Sequence, residues 1–145
     1  MWTLSVCIPV YNSDVRALVN SLCAQIAALP NANIDIVLID DASAPEFKQC
    51  NMFSEAAVKC YALPQNIGRS RIRNAFLKHT DADYLLFIDG DSTIQDPLFL
   101  KKYADYLTQQ SIEVLVGASV YQNHKPNRAQ RLRWSYSTQR ESLDF

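Results

Sequence analysis

A chain of 145 residues with 48% hydrophobic and 20% charged side chains carries enough apolar material for one domain with a real core, which excludes a disordered chain. The formal net charge of −1 gives no footing to nucleic-acid binding. The longest apolar runs, residues 34–39 and 84–88, are far too short to cross a bilayer, and the N-terminus lacks the basic flank and small-residue cleavage site of a secretory signal. The expected compartment is the cytoplasm. Cys7, Cys23, Cys50 and Cys60 show no C-x-x-C spacing and have mostly apolar neighbours, so buried free thiols are expected rather than zinc ligands or disulfides.

In chain order, residues 4–10 read as a buried strand, and Tyr11, Asn12, Ser13 and Asp14 supply helix caps after it. Val15, Leu18, Val19, Leu22, Ile26 and Leu29 recur at helical spacing and predict an amphipathic helix ending near Pro30. Residues 34–39 form a near-continuous apolar run, the pattern of a strand covered on both faces, and it ends in Asp40 and Asp41. A helix is predicted over 45–57, a short strand over 58–63, and a helix over 70–79 with Ile72, Ala75 and Phe76 inward. The strand 84–88 follows, then a helix with Pro97 in its first turn, then a strand over 114–121. This alternation predicts an α/β fold, an open and mostly parallel sheet with helices on both faces. Residues 1–121 are expected to form that domain. Residues 122–145 are a basic segment, five basic side chains against Glu141 and Asp144, with a helix over 128–141. Trp134, Tyr136, Leu143 and Phe145 lack an obvious core there, which points to self-association or to a region continuing into a longer protein.

Open parallel sheets bind ligands at the carboxyl ends of their strands, where Tyr11, Asp40, Asp41, Asn66, Asp89 and Asp91 fall. The run Tyr84-Leu85-Leu86-Phe87-Ile88-Asp89-Gly90-Asp91 drives an apolar strand into two carboxylates separated by one glycine. Hard oxygen ligands in so sparse a cluster suit Mg²⁺ or Mn²⁺, which borrow further ligands from a substrate's phosphates. Only three glycines occur, none in a G-x-G-x-x-G or P-loop pattern, so the backbone is not the phosphate cradle. His79 at a helix end and His124 in a polar loop receive no role.

Val6-Cys7-Ile8-Pro9-Val10-Tyr11-Asn12, Val37-Leu38-Ile39-Asp40-Asp41-Ala42-Ser43, Asn66-Ile67-Gly68-Arg69 with Arg73-Asn74, and Phe87-Ile88-Asp89-Gly90-Asp91 stand in one order and spacing. In them the chain resembles a family-2 glycosyltransferase with the GT-A fold, over about its first two thirds. The resemblance implies a hexosyltransferase-like, inverting, metal-dependent transfer from a nucleoside-diphosphate sugar, UDP- or GDP-linked, to a hydroxyl of a carbohydrate or lipid-linked acceptor, as in polysaccharide biosynthesis. It implies that Pro9, Tyr11 and Asn12 line the base pocket, that Asp40 accepts from the base, and that Asp41 supports the turn or the ribose. Asn66, Gly68 and Arg73 match a segment whose arginine approaches the nucleotide or its phosphates. Asp89 would contact the ribose or a metal-bound water, Gly90 would lie beside it in the substrate site, and Asp89 and Asp91 are the metal candidates, Asp91 as the direct ligand. The general base lies well downstream in such enzymes, and neither Glu141 nor Asp144 stands in a recognisable version of its motif, so the chain is expected to lack it.

Two other readings compete. Residues 88–93 also match the D-x-D-x-T loop of haloacid-dehalogenase-like phosphatases, although that loop normally follows the first strand of its domain and here follows the fourth. A nucleotide-sugar-binding module without turnover is the second. The basic tail suits an anionic membrane surface as well as phosphates.

Overall fold

Two apolar octapeptides, β1 (Thr3–Val10) and β2 (Asn33–Asp40), run parallel and pair along their whole length, Val6 opposite Ile36 and Ile8 opposite Leu38. β3 (Val58–Ala62) adds to the outer edge of β2, and β4 (Tyr84–Phe87) adds to the free edge of β1, giving an all-parallel sheet in the order β3-β2-β1-β4. This comes from a computed structural model that describes residues 2–110, 113–117, 127–128 and 131–140, except the side chains of 49, 50, 133 and 137–140.

Strand pleating sorts the two central strands into two cores. Leu4, Val6, Ile8 and Val10 with Ile34, Ile36 and Leu38 face α1 (Arg16–Ala27) and α4 (Phe99–Gln109), which contribute Val19, Leu22, Leu100 and Leu107. Cys7, Val37 and Ile39 face the other way, onto Ile72 of α3 (Arg69–Ala75) and Phe76 of the 3₁₀ turn Phe76–Lys78. Helices thus cover both faces, the architecture expected from the alternating pattern. Burying each of the larger side chains, such as Ile8 or Leu22, contributes roughly 1.5–3 kcal/mol.

Polar side chains fix the joints. Gln25, buried on α1, donates from Nε2 to the Asp96 carbonyl at 3.2 Å and accepts the Leu100 amide at 2.9 Å, so one helix caps the first turn of the other. At the opposite face Ser5 Oγ donates to Asp35, whose other oxygen meets Lys59 Nζ at 2.6 Å. Burial, reinforced by the Asp35 charge, pushes the Cys7 thiol up to about 12.

Thr3 and Asp83 clasp the starts of β1 and β4. The Asp83 carboxylate accepts both the hydroxyl and the amide of Thr3, which hold its pKa below the ordinary carboxylate value. A depressed folded pKa gives stability that is present above the unfolded value of about 4 and is lost as pH falls through the folded one. Wild type is therefore expected to resist urea better than Asp83→Asn at pH 7. The gap should close as pH is lowered below about 4, and a gap independent of pH would refute the linkage.

Several predicted elements end elsewhere. The helix predicted over 45–57 is only α2 (Pro45–Cys50), because Asn51 turns its side chain away to accept the Val15 amide and donate to the Ser13 carbonyl. α4 starts at Phe99 rather than beside Pro97, since Asp96 Oδ1 takes the Leu98 amide and fixes the turn before the helix. Residues 114–117 lie in no strand, with Val114 and Val116 exposed, and 118–121 lie outside the described residues. Of the thiols, Cys7 is buried and Cys23 half-buried, but Cys60 is exposed because edge strand β3 is bare on its outer side. The Cys50 side chain lies outside the description, as does His124. His79 stacks on Tyr61, ring centroids 4.1 Å apart.

The contacts divide the chain into Met1–Ser111 and Ile112–Phe145. The second unit contains α5 (Arg131–Arg140), within the predicted helix, with Leu132 and Tyr136 exposed and Trp134 half-buried. Leu143 and Phe145 lie outside the described residues, as do Glu141 and Asp144. No helix among the described residues is long and apolar enough to cross a membrane.

Candidate functional site

β1 is flanked by β2 on one side and β4 on the other: the chain runs from β1 outward through β2 and β3 and then crosses back to β4, so the strand order reverses at β1. Such a switch point opens a crevice in a parallel sheet. A cleft of about 440 Å³ lies there, walled by Pro9 at the end of β1, Tyr11 and Ser13 after it, Asp41 after β2, Asn66 and Gly68 after β3, and Asp89, Gly90 and Asp91 after β4. Val10 and Ile72 add apolar surface, and Arg69 supplies a positive charge. Tyr11 is 56% exposed and lines the cleft, leaving its ring free for a stacking contact.

The loops are laced together by backbone-to-side-chain bonds. Asp41 is 3% exposed, yet among the described residues it forms no ion pair. Its carboxylate accepts the amides of Ile67 at 2.7 Å and Gly68 at 3.0 Å, while its carbonyl accepts Asn66 Nδ2. Gly68 adopts φ +81°, a conformation open to glycine, as it turns into α3. Asp40 Oδ1 accepts the Ser43 amide at 2.6 Å, across Ala42 at φ 61°. Asn12 donates its amide to Ser43 Oγ and accepts the Ala44 amide on its own side chain. The ends of β1, β2 and β3 are thereby one hydrogen-bonded unit.

After β4 the two carboxylates differ in their surroundings. Asp89 Oδ2 meets Arg69 Nη2 at 2.8 Å, and Asp89 Oδ1 meets Arg73 Nη2 at 2.7 Å. Asp91 is exposed in the cleft, and among the described residues no hydrogen bond or ion pair occupies its carboxylate. Gly90 is required by closeness: a Cβ there would stand 3.1 Å from Val15 Cγ1 and 3.2 Å from the Pro9 carbonyl oxygen. A methyl group fits there only if Val15 or the β1 backbone gives by a few tenths of an ångström. Gly90→Ala is expected to lower stability by about 1–3 kcal/mol and to displace the turn from the end of β1; an unchanged denaturation midpoint would show that β1 yields instead.

Among the described residues no three His, Cys, Asp or Glu side chains come close enough to hold an ion by themselves. The donor set therefore fits a cation that takes most of its ligands from solvent and a bound anion, as Mg²⁺ and Mn²⁺ do. Asp91 fits direct ligation. Asp89 fits only alongside the two guanidinium groups it already holds.

Of the predicted site residues, Pro9, Tyr11, Asp41, Asn66, Gly68, Asp89, Gly90 and Asp91 share the cleft. Asn12, Asp40 and Arg73 stand behind its wall, Asn12 and Asp40 bonded to backbone amides and Arg73 to Asp89. Ser13, expected only as a helix cap, and Arg69, which stands in the Asn66–Arg69 motif without an assigned role, line the cleft as well.

The family model described as "Glycosyl transferase family 2" matches residues 5–144. A poly(ribitol-phosphate) beta-N-acetylglucosaminyltransferase, TarS of Staphylococcus aureus, is 30% identical over 121 residues, 80% of this chain but 21% of TarS. The structure of S. aureus TarS 1-349 in complex with UDP-GlcNAc superposes with TM-score 0.60 at 24% identity, over 86% of this chain and 38% of that one. The mannosyltransferase PcManGT from Pyrobaculum calidifontis, in complex with GDP-Man and Mn²⁺, gives TM-score 0.63 at 16% identity, over 74% and 33%. At these identities the two structures establish the shared fold.

Proposed function

The chain belongs to glycosyl transferase family 2, and on that premise we propose that its cleft binds a nucleoside-diphosphate sugar together with Mn²⁺ or Mg²⁺, within an enzyme that transfers the sugar to an acceptor hydroxyl with inversion. One observation carries the reading: an exposed tyrosine ring and an unpartnered carboxylate, Tyr11 and Asp91, face a single cleft at the switch point of the sheet. The nucleotide sugars in the structures of TarS and PcManGT, and the Mn²⁺ in the latter, support it. Family membership also favours this reading over the dehalogenase-like one.

Tyr11 stacks on the base, an interaction that contributes about 1–3 kcal/mol in comparable contacts. Asp41 holds the Asn66–Gly68 wall in place, and Asp91 takes the cation. When bound, the cation supplies charge stabilisation to the departing diphosphate. Asp89 and Arg69 stand where the phosphates approach. The chain spans about a fifth of the length of its curated relatives.

Calorimetric titration of the folded chain with UDP and with GDP, each with and without Mn²⁺, tests the reading. The expected result is binding of one nucleotide that depends on the cation. Absence of heat for both, with Mn²⁺ present, overturns it.

A further inference from the structure

The charges at the mouth of β4 are balanced before any ligand arrives: Arg69 and Arg73 stand against Asp89 and Asp91. The two arginines are not equivalent. Arg73 is partly covered, and its Nε is buried without a protein partner, so its stem is set in the wall. Arg69 has a side chain 74% exposed, lines the cleft, and touches Asp89 through Nη2 alone. A pair that exposed is held weakly, and its geometry is readily given up for a better anion. A guanidinium prefers phosphate oxygens, which it can grip in pairs.

We propose that Arg69 is an exchangeable latch: in the free protein it occupies Asp89 and discourages a lone divalent cation, and on arrival of a diphosphate it moves to the phosphate oxygens and releases Asp89 Oδ2. This rests on the reading of the cleft as a diphosphate and cation site. Its consequence is that cation and diphosphate enter together, because the site is neutral without the anion and carries the cation's full charge unless the anion comes with it. Arg73, fixed on the other oxygen, is a positioning residue that keeps Asp89 aimed into the cleft throughout. No such exchange is available to Arg71, which is exposed on the same helix but does not line the cleft.

The test measures Mn²⁺ binding by the loss of its free electron paramagnetic resonance signal, without nucleotide, and UDP binding in saturating Mn²⁺ by calorimetry. Wild type, Arg69→Gln, Arg69→Lys and Arg71→Gln are compared as full chains. Arg69→Gln is expected to bind Mn²⁺ alone about tenfold more tightly than wild type and UDP about tenfold more weakly, with Arg69→Lys between them. Arg71→Gln removes the same charge from the same helix and should stay within about twofold of wild type on both counts. If either change is missing in Arg69→Gln, or if Arg71→Gln reproduces both, the latch is overturned while the nucleotide site stands. A wild-type chain that binds no UDP in Mn²⁺ overturns the nucleotide reading and the latch with it.

Discussion

Replacing Asp41 by alanine is expected to lower the unfolding free energy by about 3–5 kcal/mol, because two part-buried amides lose a charged acceptor. Asp41 is 3% exposed, and its carboxylate is the acceptor for the amides of both Ile67 and Gly68. Against a typical total of 5–15 kcal/mol this is a large fraction, and a marginal chain would not survive it. Asp41→Asn keeps one acceptor oxygen and turns an amide group toward the second N–H, so about half of that loss is expected. Urea denaturation measures both, and a loss under about 1 kcal/mol for the alanine variant would mean that the 66–68 loop is held by something else.

Asp91→Asn should do the reverse, leaving the denaturation midpoint in place while removing the metal-dependent part of UDP or GDP binding. Its carboxylate is exposed and, among the described residues, unpartnered, so folding draws nothing from it. A loss of about 100-fold or more is expected in the presence of Mn²⁺, since even indirect partners of a bound metal are worth 10–100-fold. Asp40→Ala should instead weaken uridine or guanosine as well as the diphosphate, by loosening the Ser43 turn on which Asn12 and the Tyr11 loop depend. Equal losses of free nucleoside in the two variants would show that base and cation are not handled by separate parts of the cleft.

The sheet was legible because its centre is written in one-dimensional terms. Near-continuous apolar runs in β1 and β2 can be buried only on both faces, and carboxylates and turn residues mark where each run ends. The helical stripe from Val15 to Ile26 was legible for the same reason. What escaped depends on pairs of residues far apart in the chain. Gln25 looks like an ordinary polar position on a helix, yet its amide is spent on α4, 75 residues away. Asn51 stops α2 through bonds to residues 36 and 38 positions earlier. Asp40 and Asp41 are chemically alike and adjacent, and only the fold decides that Asp41 reaches the cleft wall while Asp40 closes a turn. At Gly90 the neighbouring Pro9 carbonyl, far earlier in the chain, supplies a steric reason that no local pattern shows.

The placement of β1 between β2 and β4 also sets a timetable for synthesis. β1 can zip to β2 once residue 40 has emerged, but its other edge waits for Tyr84–Phe87, pairing Leu4 with Tyr84 and Val6 with Leu86. At 5–20 residues per second that interval is about 2–9 s. Throughout it the nascent chain carries an open strand edge beside Val6 and Ile8, before α4 exists to cover that face. Such an edge recruits any other strand within reach, so the hazard is greatest on crowded polysomes, where neighbouring copies present the same unfinished edge. Slower elongation between residues 40 and 87 lengthens the exposure, and a chaperone that shields apolar strands during those seconds raises the yield of folded protein.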